Sequence, residues 1–232
     1  MELTSEALGD DRALVVRVAL DLYQGDAGVL SATERARLRR MRSVAKQRDF
    51  LAGRSAIRRV LGPLLDADPR GVSIEDGVHG KPELTGSQRL HFNLSHSGDR
   101  ALLAVSRRGP IGVDIEAARP GRPFRRLARR FFAASEYDWI QGLPARDLAD
   151  GFYRLWTLKE AYLKAIGTGL TLSSRAFQVD PRRDPPRLVT TPAGQLAAER
   201  WTTRVLPIEP GYHAALCTPA GLLDCRQVSL ED

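Results

Sequence analysis

The order in which strand and helix periodicities alternate constrains this chain more than any other feature. "RALVVRVALDLY" from Arg12 is a strand by its Val and Leu content. The arginine-rich stretch "SATERARLRRMRSVAKQRDFLAGRSAIRRVLGPLL" opens on Ser31 with Glu34 three residues later, the spacing of a capping box. Its apolar residues, among them Leu38, Phe50, Ile57, Val60, Leu61 and Leu64, recur at helical intervals. They predict two helices or one bent helix ending near Gly62-Pro63. Strands are expected at "VSIED", "LHFNLSHS" and "RALLAVSR", the last two joined by a Gly-Asp turn. From Pro110 the plan returns: a strand at "PIGVDIEAA", a basic helix through "FRRLARRFF", and a helical start at "SEYDWIQGL". The helix "DLADGFYRLWTLKEAYLKAIGTG" then ends at a glycine cap, Gly167. Strands at "AFQVD", "RWTTRVLPIE", "YHAALCT" and "DCRQVSL" complete it, and "DPRRDPPRL" is expected to be a loop. The expected class is α+β in two similar halves, 1–109 and 110–232, with a hinge near Gly109-Pro110.

Charge narrows the partners. A net +7 over 232 residues implies attraction to something anionic: nucleic acid, a phosphorylated small molecule or an acidic protein. Two cysteines, Cys217 and Cys225, form neither a metal spacing nor a disulfide framework. "MELTSEALGDD" lacks the apolar core of a signal peptide, and runs such as "ALLAV" are too short to span a bilayer. A cytoplasmic chain with no membrane contact is expected.

Four short segments carry chemistry. In "GVDIE", Asp114 and Glu116 are two apart on a strand, so both carboxylates face one way, an arrangement that is mildly unfavourable without a cation. Oxygen ligands at this spacing suit Mg²⁺, although a solvated strand end has the same pattern. In "LWTLKEAYLKAIGTGL", Trp156, Glu160 and Lys164 share one helical stripe, and Lys159 lies about 100° round the helix from Glu160. The chain has only four lysines, and Lys81, Lys159 and Lys164 all fall in such segments. "HFNLSHSGD" places Ser95 and His96 at a strand end, and "HGKPEL" offers Lys81 to an anion. Nine arginines between Arg35 and Arg59 are mostly solvated helix faces, with Arg37, Arg54 or Arg58 available as an anion clamp. No aromatic interleaving accompanies them and no helix-turn-helix or zinc-finger pattern occurs, so a nucleic-acid module is the poorer reading. Another Mg²⁺-dependent phosphoryl or nucleotidyl transferase remains open, although no Walker-type loop is present.

Taken in order, "GKP", "FNLSHSGD", "IGVDIE" and "WTLKEAYLKAIGTGL" resemble the surfactin-synthetase type of 4′-phosphopantetheinyl transferase. The resemblance implies a pseudo-twofold α+β monomer with its active site in the cleft between halves. It implies transfer of the phosphopantetheine arm of coenzyme A to a serine of an acidic apo carrier protein, with adenosine 3′,5′-bisphosphate released. By motif, Asp114, Glu116 and Glu160 resemble the ligands of Mg²⁺, with Mn²⁺ an alternative. Glu160, Lys159 and Lys164 are the expected catalytic groups, the lysines near the pyrophosphate. Lys81, Ser95 and His96 resemble coenzyme A contacts, as do Arg37 and Arg54 by spacing alone. Glu136 matches an acidic position whose role is open. Carrier docking is expected on "RPFRRLARRFF", and no nucleic acid is expected among the partners.

Overall fold

The structure, a computed structural model, describes residues 8–77, 81–86, 90–222 and 224–230. Gly80 of the "GKP" motif lies outside them. The described chain divides into two units. One runs to Arg108 and is completed by residues 224–230; the other is 109–222.

In the first unit, β1 (Arg12–Ala19) is central to a four-stranded sheet ordered β11-β1-β5-β4, where β4 is His91–Ser97, β5 Arg100–Ser106 and β11 Asp224–Leu230. β4 and β5 form a tight hairpin. Ser97 pairs with Arg100, leaving Gly98-Asp99 as a two-residue turn, and Gly98 at φ +60° supplies the conformation such a turn needs. β11 runs parallel to β1, with Arg12 opposite Asp224 and an ion pair of 2.9 Å between their side chains. The expectation that 110–232 forms one half therefore differs from the structure, in which the last strand joins the first unit's sheet.

The arginine-rich stretch forms two helices, α1 (Ala32–Arg40) and α2 (Val44–Leu64). Ser31 and Glu34 make the capping box reciprocally, and Ser43 caps α2. Ile57, Val60, Leu61 and Leu64, at i, i+3, i+4 and i+7, bury one face of α2 against Leu14, Val16, Phe92, Leu103 and Val105. Each such side chain contributes about 1.5–3 kcal/mol on leaving water. β2 (Ile74–Asp76) and β3 (Pro82–Leu84) form a separate small hairpin.

The second unit holds a three-stranded antiparallel sheet ordered β6-β10-β9, with β6 at Gly112–Ala117, β9 at Trp201–Val205 and β10 at Tyr212–Pro219. Helix α5 (Leu148–Ala165) lies on it, burying Leu155, Leu158, Tyr162 and Ala165. Around α5 pack α3 (Phe124–Phe131), α4 (Ala134–Gln141) and the hairpin β7 (Gln178–Asp180) with β8 (Arg187–Thr190). β8 occupies part of the segment expected to be loop. α4 starts after Ala133, not on Ser135, and Glu136 accepts the Ala133 N–H at 2.8 Å. Among the described residues no helix is long and apolar enough to cross a membrane.

Candidate active site

Gly112 sets how closely α5 approaches β6. A Cβ there would sit 2.0 Å from the Ala161 carbonyl oxygen and 2.4 Å from the Ala165 nitrogen, so only glycine lets the helix backbone rest on the strand. Asp114 meets Lys164, whose ammonium donates to Oδ1 at 2.6 Å, and Glu116 meets Trp156, whose indole N–H donates to Oε1 at 3.1 Å. Glu160 lies on α5 between Trp156 and Lys164, 8% exposed, and Asp114 is 4% exposed.

Three carboxylates so gathered repel one another. Glu160 is pushed up to about 7, first by burial and then by the Asp114 charge, with Lys164 opposing and Glu116 adding to the rise. Near neutral pH Glu160 therefore exchanges a proton readily, whereas an ordinary glutamate is fully ionised. Trp156 serves two ends. It packs on Phe152 at 6.0 Å and on Phe131 at 5.3 Å while orienting Glu116. Its place four residues before Glu160 on the same stripe was the available signal.

The metal question turns on these acids. All their donors are carboxylate oxygens, as a hard divalent cation requires, and their mutual repulsion is what such a cation relieves. As they stand, no three His, Cys, Asp or Glu side chains among the described residues are grouped to hold one ion. Asp114 is engaged by Lys164 and Glu116 by Trp156. The chemistry of the donor set fits a hard cation, and each of these two contacts occupies a single carboxylate oxygen.

Lys159 departs from expectation. Its ammonium is buried, 1% exposed, and donates to Glu136 Oε1 at 2.6 Å, to Oε2 at 2.9 Å and to the Phe177 carbonyl at 2.8 Å. All three N–H groups are used. Glu136 accepts further N–H bonds from Ala133 and Val179 at 2.8 Å each. The 100° offset from Glu160 puts Lys159 on another helix face, where it ties α5 to α4 and β7. Burial lowers it to about 8 against the raising influence of Glu136.

On the far strand His213 stands opposite Glu116, stacks on Tyr153 at 5.3 Å and points Nε2 to Asp150 at 3.5 Å. The Tyr153 hydroxyl accepts the Arg119 N–H at 3.0 Å, fixing the chain just beyond Glu116. Nothing in the sequence marked this group, because only the strand pairing brings His213 to Glu116.

In the first unit Arg37 and Arg54 come together on a hollow of about 530 Å³. Both bond Asp76, Arg37 at 2.6 Å, and both guanidinium groups lie over the Phe50 ring, at 5.0 and 5.5 Å. Arg58 is instead structural: 1% exposed, it binds Glu34 at 2.9 Å and the Val72 carbonyl at 2.6 Å. Lys81 precedes β3, and Ser95 and His96 occupy β4 as expected. The strand alternates, so Ser95 is buried and His96 exposed, on opposite faces. The described lining of the hollow includes none of these three.

Comparison with known proteins identifies the family. A family model for the 4′-phosphopantetheinyl transferase superfamily matches residues 110–217, and one for the 4′-phosphopantetheinyl transferase N-terminal region matches 21–108. The 4′-phosphopantetheinyl transferase HetI of Nostoc sp. is 40% identical over 194 residues, 80% of this chain and 81% of its own. A 4′-phosphopantetheinyl transferase of Bacillus subtilis is 33% identical over 188 residues, 81% of each chain. A solved holo-(acyl-carrier-protein) synthase of Bacillus anthracis in complex with CoA (3′,5′-ADP) is 24% identical and aligns with 47% of this chain and 92% of its own, at a TM-score of 0.37. This chain belongs to the 4′-phosphopantetheinyl transferase superfamily and is a transferase.

Proposed function

We propose that the chain moves the 4′-phosphopantetheine arm of coenzyme A onto a serine hydroxyl of an apo carrier protein, with Mg²⁺, releasing adenosine 3′,5′-bisphosphate. The observation that carries this is the collection of Asp114, Glu116 and Glu160 beside Lys164 on one face of α5 and β6. The names of the relatives support the group transferred, and the chemistry of the site supports the way it is transferred.

In the reaction the serine oxygen bonds to the phosphorus on the pantetheine side of the pyrophosphate, and the bond from that phosphorus to the bridging oxygen breaks. Glu160 takes the hydroxyl proton as the general base. Asp114, Glu116 and Glu160 would hold Mg²⁺, which when bound supplies charge neutralisation at the pyrophosphate. Lys164, freed from Asp114, carries a mobile ammonium toward the oxygen that leaves. Lys159 acts through the helix, not on the substrate. Within the first unit, Arg37 and Arg54 are assigned to the donor's phosphates, with Lys81, Ser95 and His96 as further contacts.

α3 presents Arg125, Arg126, Arg129 and Arg130 outward while Phe124 and Ala128 are buried, a basic face suited to an acidic carrier domain. The reading places the enzyme in the cytoplasm and as a monomer. The test is intact mass of purified apo carrier proteins after incubation with the chain, coenzyme A and Mg²⁺. One phosphopantetheine is expected, and it should be absent with Glu160→Ala or EDTA. No gain on peptidyl, polyketide or fatty-acid carriers by folded protein would end this reading. Reversing Arg126 and Arg130 to Glu should lower the rate with carrier roughly tenfold at low salt and leave coenzyme A binding intact.

A further inference from the structure

The second unit contains another hollow, of about 500 Å³, between the start of α4 and the β7–β8 hairpin. Its lining includes none of Asp114, Glu116, Glu160 or Lys164, and the proposed transfer makes no use of it. Trp139, Val179, Pro181 and Val189 are the apolar residues of its lining. Arg182, Arg183 and Arg187 line it as well. Asp180 pairs with Arg182 at 2.8 Å and with Arg183 at 3.5 Å, which holds two guanidinium groups in place. The Arg187 guanidinium has no hydrogen bond or ion pair with any described residue. Glu136 also lines the hollow, but its charge is already offset by Lys159. Three cations thus face one further anion, Asp180.

A volume of this size, with apolar walls and a few convergent charged groups, is what small-molecule sites share. We propose that this hollow is a second binding site, for a small organic anion whose phosphate or carboxylate head meets Arg183 and Arg187 while a flat body lies against Trp139. A bare anion is insufficient. The Arg183 side chain is 63% exposed, and ion pairs so open to water are worth little by themselves. The apolar wall must therefore contribute much of the affinity. Nucleoside phosphates and aromatic carboxylates both have the required chemistry.

The experiment follows the tryptophan indole N–H resonances of the ¹⁵N-labelled full chain, with the Trp139 signal assigned by Trp139→Phe. ATP, salicylate and inorganic phosphate are titrated separately. The Trp139 signal should move with ATP, with salicylate or with both, which identifies the ligand source. Inorganic phosphate should leave it in place. Replacing Arg183 and Arg187 by Ala should weaken the response at least roughly tenfold. Both side chains are on the surface, and an otherwise unchanged spectrum would verify the fold. A Trp139 signal unmoved by ATP and salicylate, or equal affinity in the double variant, would overturn the site. So would an equal response to inorganic phosphate. The readout is independent of transferase activity, so failure here and failure of the proposed reaction are separable.

Discussion

Glu160 has a proton affinity set by the fold. Its pKa rises from the ordinary 4.5 to about 7, so the folded chain keeps a proton that the unfolded chain releases. Stability is full below the unfolded value and declines as pH rises through about 7, by on the order of 3 kcal/mol in total. Urea denaturation should show this decline between about pH 5 and about pH 8, and Glu160→Gln should remove most of it. Mg²⁺ should restore the lost stability in the natural chain but not in the variant. The buried Lys159–Glu136 pair behaves differently. Glu136→Ala strands an ammonium in the core and should cost about 3–5 kcal/mol, while Glu136→Leu with Lys159→Met should cost much less, as read from urea midpoints. The sequence could mark both lysines of this helix as unusual in an arginine-rich chain. It could not separate them, because the partner that occupies Lys159 lies 23 residues away on another helix.

Elements defined by contacts near in sequence were legible; those defined by distant pairing were not. The Ser31 capping box, the Gly98-Asp99 hairpin and the end of α5 before Gly167 all depend on residues within a few positions of each other. The first two residues of β8 fell in the stretch read as loop because arginines and prolines dominate "DPRRDPPRL", yet Leu188 is buried and pairs with Val179. The candidate site was legible as a stripe on one helix and a pair on one strand. The contact that unites them was hidden, since it depends on Gly112 admitting α5. Gly112→Ala should lift the helix from β6. A large fall in melting temperature by circular dichroism is expected, and with it loss of transfer activity. A small shift with full activity would show that the helix can yield.

Across the whole molecule, the positive charge is spent unevenly. Arg54 and Arg58 balance Glu34 in the first unit's interior, whereas the arginines of α3 are exposed. Composition gave the total and not this division. Composition also could not place β11, whose partner β1 lies 212 residues back at the Arg12–Asp224 pair. Deleting residues 224–232 should uncover one edge of β1 and take away Val228 and Leu230, which pack against the first unit's core, and circular dichroism and solubility should report an incomplete first unit. The same parallel pairing has a consequence for biosynthesis. Residues 109–222 leave the ribosome before the strand that completes the earlier unit, so the later part of the chain can finish folding first. Until β11 has been made, the nascent first sheet presents the β1 edge open, and a chaperone that shields strand edges would act there.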